Sequence, residues 1–447
     1  MNSVVIAVSV VVILSLMRVS VVLSLMIGAI VAGLLSGMDI KAVVDAFNGG
    51  LGGGAPTALA YATLGAFAVV LSRTGITQHL SDWLIAKVNG KVALGQSPNN
   101  IKWALYVGLI LVGFASGTII PVHIAFIPIL IPPLLHVMNK LQLDRRAVAC
   151  AITFSLIVMY MTFPIGYGVI YLNDIMISNI NKAGAALNFS VDKSIATPAM
   201  LIPSSGMVIG LLVALFITYR KKREYRDLPI EGLENQTAPR TLQTWQKALV
   251  LAGIVLALVT QLWTGSMIFG GLVGFALVSM SGVIKWQEQD HVFTQGMRLM
   301  AMVGFIMITA TGFAAVMTAT GDVPALVASS VSISGDNKGL AAFMMLLIGL
   351  FVTMGIGSSF STVPILTAIY VPLCVSFGFS PMATVAIIGA AGALGDAGSP
   401  ASDSTLGPTA GLNADGQHDH MWDTVVPTFL HYNLPLICTG WIAAMVL

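Results

Sequence analysis

Apolar runs of 15 to 21 residues recur along the whole chain, separated by short polar or glycine-rich stretches. About 20 helical residues cross a hydrocarbon core of roughly 30 Å, so each run reads as a membrane segment. The expected segments are 3–17, 19–38, 52–72, 101–120, 121–138, 147–164 and 199–219, then 248–264, 266–284, 299–320, 339–355, 360–377, 382–396 and 425–446. Between the two sets lies the one clearly hydrophilic stretch, YRKKREYRDLPIEGLENQTAPRTLQTWQK at 219–247. The pattern therefore divides the chain into a first membrane repeat (1–219), a basic cytoplasmic linker (220–247) and a second membrane repeat (248–447).

Composition agrees with the pattern. Of 447 residues, 56% are hydrophobic and 9% charged, and mean hydropathy is +0.90, far from a domain with a solvated surface. Long loops are scarce, which leaves no room for a sizeable soluble domain. The N-terminal MNSVVIAVSVVVILSLM lacks a basic n-region and a small-residue cleavage site, so it is expected to be the first membrane segment. Cys150, Cys374 and Cys438 sit in apolar sequence without metal-ligand spacing and read as inert thiols.

Basic residues orient the chain, because Lys and Arg accumulate in cytoplasmic loops. With the 219–247 segment inside, 17 of the 21 basic residues lie on that side. Only Lys41, Lys182, Lys193 and Lys338 lie outside. The basic run at 220–226 is then a topology anchor beside anionic membrane lipid, and nothing in the chain suggests a nucleic-acid partner.

The two halves are related. TLGAFAVVLSRTG at 63–75 matches TATGFAAVMTATG at 309–321 at an offset of 246, with six of thirteen residues identical. The offset becomes 242 where GFASG at 113–117 faces GIGSS at 355–359, and 236 where Pro164 faces Pro400. An odd number of crossings per half predicts inverted topology. The fold expected is an all-α polytopic membrane protein of two inverted-topology repeats, with discontinuous helices, about 12–14 membrane segments, and room for re-entrant hairpins among them.

Four helix interruptions then define a midplane site: GFASGTIIPVH at 113–123, MTFPIGYG at 161–168, GIGSSFSTVP at 355–364 and AGSPASDST at 397–405. The last lies in a small-residue segment, Gly389 to Gly411, that carries Asp396 and Asp403. Carboxylates at membrane depth are costly and are kept where they meet a cavity, a cation or a polar partner. Asp396, Ser399, Ser402, Asp403, Ser404 and Thr405, with carbonyls freed by the glycines and prolines, are candidate ligands for Na+ or H+. Asp403 could alternatively cap a helix. Ser358, Ser359, Ser361 and Thr362 could hold a substrate carboxylate at a half-helix N-terminus. Ser116, Thr118, His123, Tyr160, Thr162 and Tyr167 are the first-half candidates for substrate contact, and the 236 offset pairs Tyr160 with Asp396 and Tyr167 with Asp403. His418 and His420, in ADGQHDHMWD, read as a solvated cytoplasmic loop. A GxGD-type protease is excluded by Ala393 in the first glycine position and by the lack of a Tyr-Asp partner.

The run Gly395, Asp396, Ser399, Pro400, Ser402, Asp403, Ser404, Thr405 resembles the signature of the NhaC-type Na+/H+ antiporter family of the ion-transporter superfamily, and within it the branch of predicted amino acid permeases. The resemblance implies a non-enzymatic, cation-coupled carrier of the bacterial inner membrane that needs no cofactor beyond its coupling ion and assembles as a homodimer. Together the residues and the resemblance lead to a secondary transporter of a small amino acid, with histidine a candidate, coupled to Na+ or H+. The alternative is a Na+/H+ antiporter without an organic substrate.

Overall fold

In lipid a backbone amide has no water to bond, so apolar runs of this length satisfy their hydrogen bonds within a helix. The computed structural model describes residues 2–74, 99–118, 127–228, 242–322, 325 and 335–447, and these are helical almost throughout. The first half holds α1 (Ser3–Leu16), α2 (Val21–Leu35), α3 (Ile40–Arg73), α4 (Asn99–Thr118), α5 (Ile127–Lys140), α6 (Arg145–Thr162), α7 (167–184) and α8 (Ala196–Val213). The second holds α9 (Thr244–Thr264), α10 (Met267–Val278), α11 (Gln289–Ala319), α12 (Lys338–Ile356), α13 (Ser359–Ser376), α14 (Pro381–Ala393), α15 (Asp403–Leu412) and α16 (His420–Val446). Among the described residues nine helices are long and apolar enough to cross a membrane, and the chain is a multi-pass protein of the cell membrane. Side-chain caps start several of them: Asp144 accepts from Arg146 N, Asn337 from Leu340 N and Ser380 from Ala383 N.

Each expected segment corresponds to a helix, and two helices are additional. The segments read as 147–164 and 382–396 are not complete crossings. Each is the first half of a broken one, α6 continuing beyond its break as α7 and α14 as α15. Much of α7 is a π-helix, Ile170–Ile177. α6 and the α14–α15 crossing are the most enclosed, with 94% of Arg145–Thr162 and of an 18-residue stretch within Pro381–Leu412 buried, against 22% for α9.

α12 and α13 form a hairpin that enters and leaves on one side. At its open end Lys338 Nζ donates to Gly378 O (2.9 Å), and along the arms Tyr370 Oη donates to Met345 O (2.7 Å). Its tip, Gly357 and Ser358, reaches the break between α14 and α15, halfway along that crossing. α4 and α5 likewise start and end on one side. Trp103 stacks on Phe216 (4.6 Å) and Asn139 Nδ2 donates to Asp227 (3.0 Å), both beside the 219–228 segment.

The repeat is visible as a pair of contacts. Gly50 packs against Thr311, and Gly65 against Gly296. The offset of 246 carries 50 to 296 and 65 to 311, so each contact is the image of the other. α3 and α11, equivalent by that offset, run antiparallel with small residues at the crossing. A pseudo-twofold axis in the membrane plane has this effect on helices that straddle it.

On the basic side the fold is tied by a buried ion pair. Arg145 binds Asp415 through both guanidinium nitrogens (2.6 and 2.5 Å), and also Leu412 O (2.9 Å) and Asn139 (2.9 Å). Tyr225 covers the guanidinium at 4.3 Å, and Arg223 reaches Asp423 at 2.7 Å. The 414–423 stretch is therefore not the solvated loop expected from its polarity: His418 is 1% exposed and His420 8%. Part of the basic run also turns inward instead of facing lipid.

Burial alone would raise the Asp415 carboxyl, but the hydrogen bonds and charge of Arg145 outweigh it and hold Asp415 below the usual carboxylate range. Such a group contributes stability that is present above the unfolded value and lost as pH falls through the lowered folded value. Asp415→Ala, which strands a buried guanidinium, should cost about 3–5 kcal/mol in detergent-solubilised protein. Between pH 5 and pH 3 the wild type should lose more of its unfolding midpoint than Asp415→Asn does.

Candidate functional site

The site begins where α14 ends. Leu394 leaves the helix, Gly395 takes φ 86°, Asp396–Gly398 makes one 3-10 turn, and a further turn at Pro400 and Ala401 leads to Ser402, which caps α15 by accepting from Ser404 N. Two glycines make the fit possible. A Cβ on Gly395 would lie 2.7 Å from Met354 N and 2.8 Å from Leu350 O, and one on Gly357, at φ 75°, would lie 3.0 Å from Ala401 O. The hairpin tip and the broken segment thus meet backbone to backbone, fastened by Ser399 Oγ donating to Met354 O (3.2 Å).

Asp396 stands at their junction, 6% exposed. Tyr160 Oη donates to Oδ2 at 2.5 Å, Ser359 Oγ donates to the same oxygen at 3.0 Å, and Ser402 Oγ donates to Oδ1. Tyr160 and Ser359 are themselves 2.9 Å apart. These donors come from the end of α6, the start of α13 and the break itself, so three interruptions converge on one carboxylate. Tyr160 packs in a cluster of three rings, with Tyr171 at 4.8 Å, Phe360 at 5.5 Å and those two 5.5 Å from each other, and Tyr171 Oη donates to Gly389 O.

Hydrogen bonds to a charged group contribute about 1.5–3 kcal/mol each. Three of them offset an effective desolvation penalty of several kcal/mol for one ion, but leave no surplus comparable to a salt bridge. Among the described residues no basic side chain pairs with Asp396 or Asp403.

Asp403 does not cap α15. Ser402 does, and Asp403 lies in the first turn with Oδ1 buried and, among the described residues, without a hydrogen-bond partner. The Tyr61 hydroxyl and Asn433 Nδ2 are in the same condition, Tyr61 within electrostatic reach of Asp403 and Asn433 bonded through Oδ1 to Gly395 N (3.3 Å). Thr405 Oγ1 donates to Ser399 O (2.6 Å), and Thr153 Oγ1 to Ser404 O (2.8 Å), so these two carbonyls already carry partners. An apolar cavity of about 350 Å³ between α1, α12 and α16 backs onto Gly398 and Pro400, leaving space beside the break.

The remaining expected contacts divide. Tyr167 opens α7 and lies in electrostatic reach of Asp403. Ser358 is the N-cap of α13 with no side-chain cap bond, and Thr362 Oγ1 donates back to its carbonyl (2.8 Å). Ser116 bonds within its own helix to Gly113 O, and Thr162 meets Ser204 of α8 at 2.5 Å, so neither is brought to Asp396. His123 and the side chains of Thr118 and Ser361 lie outside the described residues. Sequence reasoning missed Tyr61 and Asn433, although a lone polar residue in a spanning segment is itself a signal.

Gly395→Ala should lower stability by about 2 kcal/mol or more, because a left-handed backbone and a blocked Cβ combine. Gly37→Ala, with the same φ sign (84°) but nothing within 4 Å, should cost about 1 kcal/mol. Equal thermal shifts for the two in detergent would contradict the interlocked break.

The profile of the Na+/H+ antiporter family matches residues 151–441, and a second, described as the Na+-H+ antiporter family, matches residues 2–88. An uncharacterized membrane protein of Vibrio parahaemolyticus is 56% identical over the full length of both chains. An uncharacterized membrane protein of Haemophilus influenzae is 50% identical over 100% of this chain and 99% of its own. YuiF of Bacillus subtilis, named as a candidate amino acid transporter, is 49% identical over the whole of both.

Proposed function

The chain belongs to the Na+/H+ antiporter family and is a secondary transporter, not an enzyme, and we propose that its cargo is a small amino acid carried with Na+ or H+ by alternating access. The observation that carries this reading is Asp396: a buried carboxylate, surrounded by hydroxyl donors, with no basic side chain paired to it among the described residues. A charge so placed is completed by a mobile cation, by a proton or by the ammonium of a substrate. Asp396 and Asp403, with Ser399, Ser402, Ser404 and Thr405, form the cation side. The open N-terminus of α13 at Ser358 and Ser359 offers backbone N–H groups to a substrate carboxylate, with Tyr160 between the two. The full-length likeness to YuiF supports an amino acid as the organic cargo.

Carboxylates with no basic side chain paired to them among the described residues favour a second reading as well, since exchange of Na+ for H+ needs them alone. Ligand binding separates the two. A ligand at 100 times its dissociation constant stabilises the folded state by about 2.7 kcal/mol. Purified protein should gain thermal stability with one amino acid of a panel that includes histidine, more so with Na+, and Asp396→Asn should lose the gain. A shift with Na+ alone, and with none of the twenty amino acids, would replace the first reading by the second. Tyr160→Phe keeps the ring and removes one donor, and should weaken the apparent affinity about tenfold, a change of about 1.4 kcal/mol.

A further inference from the structure

The outer end of α7 carries a polar pocket that the midplane site does not use. α6 starts on the basic face at Arg145, so α7, beyond the break, ends on the opposite face. Here an open pocket of about 650 Å³ lies between α7 and Lys193, in the turn before α8. Asp174, Ser178 and Lys182 follow one another at four-residue intervals along α7, with Asn173 and Asn181 in the row beside them, so all share one face. The first part of this wall, Ile170–Ile177, is π-helical, a rare turn that is frequent at functional sites.

The second wall is held in place. Asn181 Nδ2 donates to Val191 O (3.0 Å) and Val191 N donates back to Asn181 Oδ1 (2.7 Å), which fixes the 185–193 loop across the helix. Gly184 lies against Phe189 O, where a Cβ would come within 2.3 Å, and Asn188 turns the chain at φ 55°. Asp192 accepts from Ser194 N (2.8 Å) and is committed to its own turn. The charges of the pocket have no such commitment. Among the described residues Asp174, Lys182 and Lys193 make no ion pair, and Asn173 Oδ1 is buried without a hydrogen-bond partner.

We propose that this pocket is an outer binding site for the zwitterionic end of a free α-amino acid, occupied before the cargo reaches Asp396. A carboxylate is met by the ammonium groups of Lys182 and Lys193, on opposite walls, and an ammonium group by Asp174 and the Asn173 amide oxygen. Asp174 and Lys182 are about 12 Å apart along the helix axis. Helical side chains lean towards the N-terminus, which for Lys182 is the direction of Asp174, so the long lysine leaves a gap suited to a molecule whose opposite charges lie close together. Two lysines against one aspartate leave the pocket net positive, which disfavours lysine and arginine as ligands. Tyr171, one turn inward on α7, packs on Tyr160, whose hydroxyl donates to Asp396. Tyr171 and Met176 are fully enclosed, so the buried side of α7 separates the pocket from the carboxylate in this conformation.

This inference rests on the amino acid reading above. The test uses full-length Ser178→Cys protein in liposomes, with Cys438→Ser removing the exposed native cysteine, labelled by a membrane-impermeant maleimide. Each of the twenty amino acids serves in turn as protectant. Exposed ion pairs are weak, so protection is read at a higher concentration than the thermal gain. An amino acid that stabilises the protein should slow labelling at position 178, and should still do so with Asp396→Asn. Lys182→Gln with Lys193→Gln should raise the half-protecting concentration about tenfold, and Asp174→Asn should raise it too, while the thermal gain is retained. An unchanged half-protecting concentration in these variants would overturn the proposal. So would loss of protection with Asp396→Asn, which would make position 178 a reporter of the midplane site alone. O-phosphoethanolamine, the head group of a membrane lipid, protecting where no amino acid does would assign the pocket to lipid and also overturn it. No protection by an amino acid that stabilises the wild type would remove the outer site and leave the cargo reading standing. Protection without uptake of the same amino acid would remove the cargo reading and leave the outer site. If no amino acid protects or stabilises, both fall.

Discussion

A carboxylate with no basic partner among the described residues, enclosed halfway along a membrane crossing, sets the terms for the rest of the structure. Asp396 cannot be hydrated there, and three hydroxyl donors offset its desolvation without replacing an opposite charge. To bring those donors to one point the chain has to interrupt three helical elements: α6 at 163–166, the α12–α13 hairpin at Gly357, and α14–α15 at 394–402. Each interruption frees backbone groups that lipid would leave unsatisfied; those at Gly357 and 394–402 are buried against other backbone, whereas Phe163, Pro164 and Ile165 at the end of α6 are exposed. The positive-φ glycines at 357 and 395 follow from that close approach, and so does the enclosure of α6 and the α14–α15 crossing while α9 remains largely exposed.

The pseudo-twofold relation explains why the donors arrive in register. Residues equivalent by an inverted repeat meet at the axis, and the 236 offset relates Tyr160 to Asp396, which are hydrogen-bonded. The axis brings like positions together, yet the chain places a phenol on one side and a carboxylate on the other. A symmetric pair of carboxylates would repel, whereas the phenol donates. The same economy appears at the basic face, where Arg145 at the start of α6 binds Asp415 just beyond the end of α15.

Much of this was legible in the sequence, and the gaps have physical causes. The break at Ser399, Pro400 and Ser402 could be read because glycine and proline are incompatible with an unbroken ladder. The equivalence of Tyr160 and Asp396 could be read because the repeat offsets survive in the apolar residues, but not that the two meet, since an alignment does not say which positions lie at the axis. α7 escaped notice because Asn173, Asp174, Asn179, Asn181 and Lys182 give it the composition of a loop, and α15 because ten residues with Gly407 and Pro408 look too short to be half a crossing. α12 and α13 each have the length of an ordinary span, and length does not say on which side a helix ends. Thr162 was placed at the site because it adjoins a break; composition does not tell which face of α6 it occupies, and it faces Ser204. His418 and His420 looked solvated because their partners, Thr409 and Thr424, are hydroxyls hidden in otherwise unremarkable sequence.

The most direct test of the central claim is an experimental structure determined with Na+ and the amino acid that most stabilises the protein. The account predicts ligand or cation density within bonding distance of the Asp396 carboxylate, between Tyr160, Ser359 and Ser402. Density elsewhere, with the hydroxyls still closed on an unoccupied Asp396, would contradict it and reduce the carboxylate to a structural element of the break.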